Sequence, residues 1–525
     1  MPAVTDGAAP VRVHRITPRA HGAGPSGVRT TRTLVAGIDS AAGGCTVVVR
    51  DAATGERVRS GRAAAPAGAE ADPHAWWQAL LDAIEASGGF ADVSAFGIGA
   101  ADGQAVTLDA EGHLVRAALV GDERGFARAA LDLVAEVGRQ ALAARVGSIP
   151  AGSHPLAKLR WLRDGEPENA GRVEAVALRH DWLMWRLRGF GPRDEMPNGL
   201  RLEELVTDRS GASGTGYWNP ATGKWDHDLF GQALGRPAIK PRVMPPDAWG
   251  GESWKMPSHG IKSERVISIG GTRPAIAALG LGLAPGDIMV SLGSGAVSTM
   301  APAPVVDETG AIRSLADAAG GFLPTVVTPG DASALAGVAR LLGVTNDGLA
   351  RLAGAARPGA GGVVFTPRTA EFHAPDATAK TPENLARAAL EGVLCTLAAA
   401  ADALATAGLP ARRVIVIGPG AGRGVVQQAT AQVFGLPVAV PQAAGPSSAA
   451  SSPTAVRAAG GAASGPAAAR SIVADGAAAQ AVWAKTHRRA SWHTPLTPER
   501  EADPRPEVRD QFSRWASRAS SAPAR

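Results

Sequence analysis

Twice along this chain a short apolar strand runs into a glycine turn and out again into a second strand. The first occurrence spans Thr33–Ile38, a turn over Ser40–Gly44 and a second run, Cys45–Val49. A further turn at Asp51–Gly55 leads to more alternating residues, so the opening predicts an antiparallel meander. A helix is predicted next. Asp72 is placed to cap it, Pro73 fits its first turn, Trp77, Leu80, Leu81 and Ile84 share one face, and Gly88 stops it. A buried strand (Val93–Gly99) and a short one (Ala105–Asp109) follow. The rhythm returns with strand Val266–Gly270, a glycine turn and a helical stretch, Pro274–Leu281. Strand Ile288–Leu292 then enters Gly293-Ser294-Gly295, with Ala296–Met300 as hairpin partner. Thr381 and Pro382 open a second apolar-faced helix, and strand Arg413–Ile417 runs through Gly418-Pro419-Gly420-Ala421-Gly422 into a helix ending near Val433. Two α/β lobes are implied, with the boundary near 249–260, where Pro245, Pro246, Gly250 and Gly251 interrupt the pattern.

The 525 residues leave room for two or three domains. With 45% hydrophobic and 19% charged residues, the chain suits a packed soluble protein. The net charge of +5 sits at the ends: residues 1–32 hold five Arg and one Asp, and residues 486–525 hold eight Arg against five acids. The body between them is therefore slightly acidic, which argues against a nucleic-acid partner. Residues 1–32 are expected to be a disordered leader, and 486–525 a disordered Arg/Pro/Ser tail; 443–470 is low-complexity sequence with room for a short Ala-rich helix. Two cysteines, Cys45 and Cys395, cannot build a disulfide framework or a zinc cluster, so a cytoplasmic location is expected. The N-terminus lacks a continuous apolar segment, and the Ala-rich stretch Leu394–Ala407 is too short to span a bilayer, so no membrane is expected.

Glycine lets backbone N–H groups approach a phosphate, and a helix N-terminus adds favourable partial charge. Three strand-to-glycine junctions have that character: Gly37-Ile38-Asp39 with Gly43-Gly44, Ser291 to Gly295, and Gly418 to Gly420. Each taken singly reads first as an ordinary turn in a chain with 65 glycines. Neither a Walker lysine motif nor a GxGxxG opening a βαβ unit occurs, which excludes P-loop and Rossmann readings. The histidines show no ligand spacing, and Trp76, Trp77, Trp161, Trp182 and Trp185 fall on helical faces as core residues.

Over residues 33–465 the sequence resembles the FGGY carbohydrate kinases, the xylulokinase branch in particular. The resemblance is carried by Ser153-His154-Pro155-Leu156-Ala157-Lys158-Leu159-Arg160-Trp161-Leu162 and by Asn384-Leu385-Ala386-Arg387-Ala388-Ala389-Leu390-Glu391. It is also carried by Asp72-Pro73, Gly121-Asp122-Glu123-Arg124, Asp181-Trp182-Leu183, Ala278-Leu279-Gly280-Leu281-Gly282 and Gly435-Leu436-Pro437-Val438. It implies two actin-like, ribonuclease-H-like α/β domains around a cleft that binds ATP, Mg²⁺ and a sugar: a sugar-binding domain over 33–250 and a nucleotide-binding domain over 251–485. Its partners would be a small-molecule sugar and a nucleotide, with a homodimer admissible.

The sequence departs from the family pattern where chemistry is expected. Counting back from Ala278-Leu279-Gly280 places Arg273 at the catalytic aspartate position, and a guanidinium cannot act as a base at neutral pH. The first phosphate motif keeps only Asp39, followed by Ser40-Ala41-Ala42, with Thr46 at its basic position. Asp39 is the candidate metal and nucleotide-side residue, with a β-turn role as its alternative. The sugar-contacting Met-His of the branch falls on Asp102-Gly103, and Asp102 is also a candidate relocated base. Asp122 and Arg124 remain as sugar-side candidates, or as a surface pair. On the nucleotide side the resemblance implies Gly271, Gly293, Ser294, Gly418, Gly420 and Arg423. The expected activity is ATP-dependent phosphorylation of a ketose such as D-xylulose, impaired by Arg273; the alternative is an inactive pseudokinase that binds sugar or nucleotide as a sensor or scaffold.

Overall fold

The computed structural model describes residues 32–520 apart from 67, 69, 70, 122, 123, 194, 331 and 443–470. The expected leader, the low-complexity stretch and Asp122 therefore lie outside the described residues.

The meander forms as predicted but with a tighter first turn. Strands β1 (Leu34–Ala41) and β2 (Gly44–Asp51) pair antiparallel in register from Leu34↔Asp51 to Ala41↔Gly44, leaving only Ala42 and Gly43 to reverse the chain. Strand β3 (Arg57–Ala64) extends the sheet. Helix α1 (Pro73–Ala86) starts where the sequence says: the Asp72 carboxylate accepts from the His74 backbone N–H, and Trp76, Leu80, Leu81 and Ile84 are buried. Strand β4 (Val93–Ala100) lies parallel to β1.

The predicted boundary does not hold. Strands β5 (Trp249–Glu252), β6 (Val266–Ser268) and β7 (Gly271–Thr272) all join the first sheet, whose order is β5-β6-β4-β1-β2-β3 with β7 also on β4. Gly250 and Gly251 mark a bulge within β5, where the register shifts between Trp249 and Gly251, and not the end of a domain. Helix α2 (Arg179–Leu187) is buried along its whole length in this lobe, and helix α3 (Arg273–Leu281) leaves β7.

The second sheet repeats the design. Strands β8 (Asp287–Ser291), β9 (Ala296–Thr299), β10 (Arg313–Ala316), β11 (Phe322–Val327), β12 (Arg413–Ile417) and β13 (Val438–Ala439) run in the order β10-β11-β9-β8-β12-β13. As in the first sheet, an antiparallel hairpin begins the unit, and its first strand, β8, pairs parallel with β12. Helix α4 (Pro382–Thr406) is the spine of this lobe, capped by Thr381 Oγ1, which accepts from the Asn384 N–H. It is long and apolar enough to cross a membrane, but 72% of that window is buried inside the fold. Helix α5 (Gly424–Phe434) follows β12.

Helix α6 (Ile472–Thr486) returns to the first lobe and lies on β1 and β4. Gly37 makes this approach possible, because a Cβ there would stand 1.8 Å from the Ala474 carbonyl oxygen. Likewise Gly476 meets α3 backbone to backbone, since its Cβ would fall 1.9 Å from the Ile276 carbonyl.

The expected tail is also ordered where it is described. Val438 and Arg500 exchange backbone hydrogen bonds (2.9 and 2.8 Å), so residues around 500 add to the edge of the second sheet at β13. Helix α7 (Pro506–Ser520) buries Val508, and Trp515 stacks on His373 with centroids 4.8 Å apart. Its apolar residues Val508, Phe512 and Trp515 fall on one helical face, a periodicity hidden by the Arg-rich composition.

Candidate functional site

Three elements converge at the C-terminal end of β1. Asp39 is 7% exposed and sits between Thr46 on β2 and Gly99 on β4. From the first residue of α3, Arg273 Nε donates to Asp39 Oδ1 (2.8 Å) and Nη2 reaches Oδ2 (3.3 Å). From the cap of α6, Ser471 Oγ donates to Asp39 Oδ2 (2.8 Å) while accepting from the Ala474 N–H. The glycine contacts of Gly37 and Gly476 set these three elements at that spacing.

A second arginine supports the same hairpin. Arg179, on α2, donates from Nε to Ser40 Oγ and from Nη2 to the Ala41 carbonyl, each at 3.0 Å, and its guanidinium lies 4.3 Å over the Trp76 ring. Burial pulls its pKa down to about 10; Asp39 opposes that shift and Arg273 adds to it. Asp39 thus has two guanidinium groups around it, and the local charge is positive without any metal.

The candidate magnesium site does not fit this geometry. Magnesium takes oxygen ligands, commonly one or two carboxylates with waters and phosphate oxygens. Both Asp39 oxygens already accept hydrogen bonds, from Arg273 and Ser471, and the guanidinium beside them repels a second cation.

Gly271 lies beside this centre. A Cβ there would stand 3.1 Å from Ser210 Oγ and 3.2 Å from Asp208 Oδ2. Ser210 Oγ accepts from the Thr272 N–H at 3.0 Å, so strand β7, which leads into Arg273, is held at its end. That support includes a buried group the sequence reading missed: His180 Nε2 lies 3.0 Å from Asp181 Oδ1 and 3.2 Å from Asp208 Oδ1. Burial lowers the His180 pKa, but the two carboxylates outweigh it and hold the imidazole above its ordinary value. A His-Asp pair followed by a second Asp in Thr207-Asp208 was the only available signal, and nothing in the spacing joins 180 to 208.

The nucleotide-side candidates meet in the second lobe. The Leu292 N–H donates to the Ile417 carbonyl (3.0 Å), bringing the Gly293 turn against the Gly418 turn, where a Cβ on Gly418 would be 2.9 Å from the Gly293 nitrogen. Gly418 and Gly420 adopt φ of 100° and 82°, which favour glycine. Ser294 Oγ donates to Ser291 Oγ (2.8 Å), and Arg423 pairs with Asp347 at 2.5 Å. A pocket beside these turns is lined by Leu292, Leu349, Ala386, Pro419, Gly420 and Arg423. An apolar slot of ≈ 60 Å³ thus adjoins the paired glycine turns.

The remaining candidates are not drawn to Asp39. Asp102 is exposed, and the charge it acts on is the half-buried Arg313 of β10, whose pKa is lowered by burial and partly restored by Asp102. The Gly103 carbonyl accepts from Lys158 Nζ at 2.6 Å, so the Ser153–Leu162 signature supports this loop. Arg124 is exposed at the start of its helix.

Two lobes of matching sheet topology, with glycine turns facing one another and a charged centre at the end of the first strand, define a sugar-kinase-type α/β fold. Comparison with known proteins agrees. Residues 46–272 match the N-terminal domain and residues 343–450 the C-terminal domain of the FGGY family of carbohydrate kinases. The xylulose kinase of Streptomyces coelicolor is 33% identical over 504 residues, covering 90% of this chain and 94% of that protein. That of Streptomyces rubiginosus is 34% identical over 433 residues, covering 78% and 85%. The crystal structure of xylulose kinase from Bifidobacterium adolescentis superposes with a TM-score of 0.77 at 31% identity, covering 93% of this chain and all of that one. The chain belongs to the FGGY family of carbohydrate kinases. The N-terminal match ends at 272, on β7, in accord with the corrected boundary.

Proposed function

We propose that this chain binds a ketose and an adenine nucleotide in its cleft and has lost efficient phosphoryl transfer, so that it acts as a pseudokinase on a xylulose-kinase-like body. Phosphoryl transfer asks for positioning, for charge stabilisation and for a carboxylate to accept the hydroxyl proton. The observation that carries the reading is the Arg273–Asp39 pair: the position implied for the base holds a cation, and that cation engages the one carboxylate kept from the phosphate motif. Loss of a general base costs about 10²- to 10⁴-fold in rate. Occupation of Asp39 removes its carboxylate from metal binding as well, which deepens the deficit. The paired glycine turns and the apolar slot by Gly420 support retained nucleotide binding. Asp122, Arg124, Asp102 and Gly103 are proposed for the sugar side.

Calorimetric titration with ATP and with D-xylulose, paired with a coupled ADP-release assay, tests this. Binding without ketose-dependent ADP release is expected. Brisk release that requires both substrates overturns the reading in favour of a working kinase.

A further inference from the structure

The edge strand of the second sheet is bonded to the first lobe. In β10 the Ser314 N–H donates to the Gly147 carbonyl (2.9 Å), and the Ala316 N–H donates to Ser213 Oγ (2.9 Å). Just before the strand, Arg139 of the first lobe donates to the Glu308 and Thr309 carbonyls. The first-lobe segment 147–154 that receives β10 also carries the loop of Asp102. Gly103 packs so closely on it that a Cβ there would stand 2.6 Å from the Ser153 carbonyl oxygen. Ile312 enters the core of the second lobe, and strand alternation turns Arg313 to the other face. Arg313 is thus brought from the second lobe to the side of the cleft where Asp102 stands in the first.

Arg313 lacks what a half-buried guanidinium normally has. Its Nε is buried without a hydrogen-bond partner, and its two terminal nitrogens, which reach solvent, have no partner among the described residues either. His154 cannot supply one. Its Nδ1 accepts from the Ala151 N–H (3.0 Å), so Nε2 carries the proton and is a donor, and burial keeps the ring neutral. The carboxylate whose field reaches Arg313 is the exposed Asp102, yet the two do not form an ion pair. An unpartnered cation held partly out of water is costly, and packing alone would be better served by an apolar residue.

A cation on one lobe and a carboxylate on the other therefore stand across a gap wider than an ion pair. A hydroxyl group accepts from a guanidinium with a lone pair and donates to a carboxylate with its hydrogen, so a polyol satisfies both at once. An anion would meet Asp102, and a cation would meet Arg313. We propose that Arg313 is a ligand-binding residue supplied by the second lobe, which takes a hydroxyl of the ketose that Asp102 holds from the first, so that the sugar ties the lobes together. This rests on the sugar-side reading of Asp102 and extends it, since the residues proposed above for the sugar all belong to the first lobe.

Calorimetric titration of the full chain with D-xylulose, and separately with ATP, tests this on Arg313→Ala and Arg313→Lys. Arg313→Ala should weaken D-xylulose binding about tenfold, the loss of roughly one charged hydrogen bond, and leave the Kd for ATP where it is. Arg313→Lys should recover part of the loss, because it keeps the charge but not the planar fork. The melting temperature without sugar separates a ligand-binding role from a structural one. Arg313→Ala removes a half-buried cation that has no partner, so the melting temperature should hold or rise. D-xylulose binding that both variants leave unchanged overturns this inference alone, and so does weakened binding accompanied by a melting temperature lowered by several degrees. Absence of D-xylulose binding to the parent overturns it together with the reading of the cleft as a ketose site.

Discussion

Arg273 Nε stands 2.8 Å from Asp39 Oδ1, joining the first residue of α3 to the C-terminal end of β1 across 234 positions of sequence. A cation at a helix N-terminus opposes the helix dipole, so Arg273 is poorly placed with respect to its own helix. Asp39 offsets that cost and receives in return a fixed counter-charge. With Arg179 also nearby, the charge of Asp39 is more than balanced without an added metal.

Arg273→Ala should be only mildly destabilising. The Arg273 side chain is 43% exposed and that of Asp39 9%, so solvent screens the pair, and Arg179 and Ser471 remain beside Asp39. A loss of about 1 kcal/mol is expected, read as a lowered denaturant midpoint. A loss several times larger would show that Asp39 is as isolated as a deeply buried charge.

Arg273→Asp combined with Ala41→Gly and Ala42→Thr should move the centre toward metal-dependent chemistry. Two carboxylates would then face each other, a like-charge arrangement that a divalent cation relieves. The melting temperature of this variant should rise on adding Mg²⁺, unlike that of the parent. Ketose-dependent ADP release should increase by about 10² or more if the base is the main deficit. An unchanged rate would place the defect elsewhere in the cleft.

The repeated hairpins, α1 and the helix after Gly271 were legible because each is a local matter of alternation, capping and glycine placement. The cation at 273 was legible too, but not its partner, since no periodicity links position 39 to 273 or 471. Prolines at 245 and 246 and glycines at 250 and 251 look the same in sequence whether they end a domain or bulge an edge strand. The C-terminal helix was hidden by composition: Val508, Phe512 and Trp515 supply the apolar face of α7, while Arg, Ser and Pro supply most of the residues around them.

Gly37→Ala should abolish stable folding, or displace α6, because its Cβ would overlap the Ala474 carbonyl at 1.8 Å and neither partner is a flexible side-chain end. Gly43→Ala, at the adjoining turn, meets nothing within 4 Å and serves as the matched control. Soluble yield and melting temperature distinguish them. Equal behaviour of the two would refute the claim that backbone contact at Gly37 positions Ser471.

Arg50 and Asp475 form a nearly dry pair, with Nε 3.0 Å from Oδ1 and side chains 5% and 1% exposed. Removing one member of such a pair strands the other, at a cost of about 3–5 kcal/mol. Asp475→Ala should therefore lower the unfolding free energy by that amount. The double variant Arg50→Met with Asp475→Leu should recover a large part of it, since two apolar groups leave no stranded charge. Failure of the double variant to recover would assign the loss to the groups the pair leaves behind, the Thr494 hydroxyl, 3.2 Å from Asp475 Oδ2, and the Gly55 carbonyl, which accepts from Arg50 Nη1.

The His180 group predicts a fall in stability as pH rises. Burial disfavours the imidazolium, but Asp181 and Asp208 more than compensate, so the folded-state pKa lies above that of the unfolded chain. A raised pKa means that the folded protein holds the proton more tightly. The resulting stability is fully present below the unfolded value near pH ~6.5 and is lost as pH climbs through the folded value. Asp181 contributes with the same sign, because burial raises its pKa against the opposing pull of His180. His180→Asn should be less stable than the parent at about pH 6 and should lose less between about pH 6 and pH 8. Denaturant midpoints at the two pH values measure both quantities. Parallel pH profiles for parent and variant would mean that His180 does not titrate between the folded and unfolded states, and that its contact with Asp208 only positions that carboxylate beside Gly271.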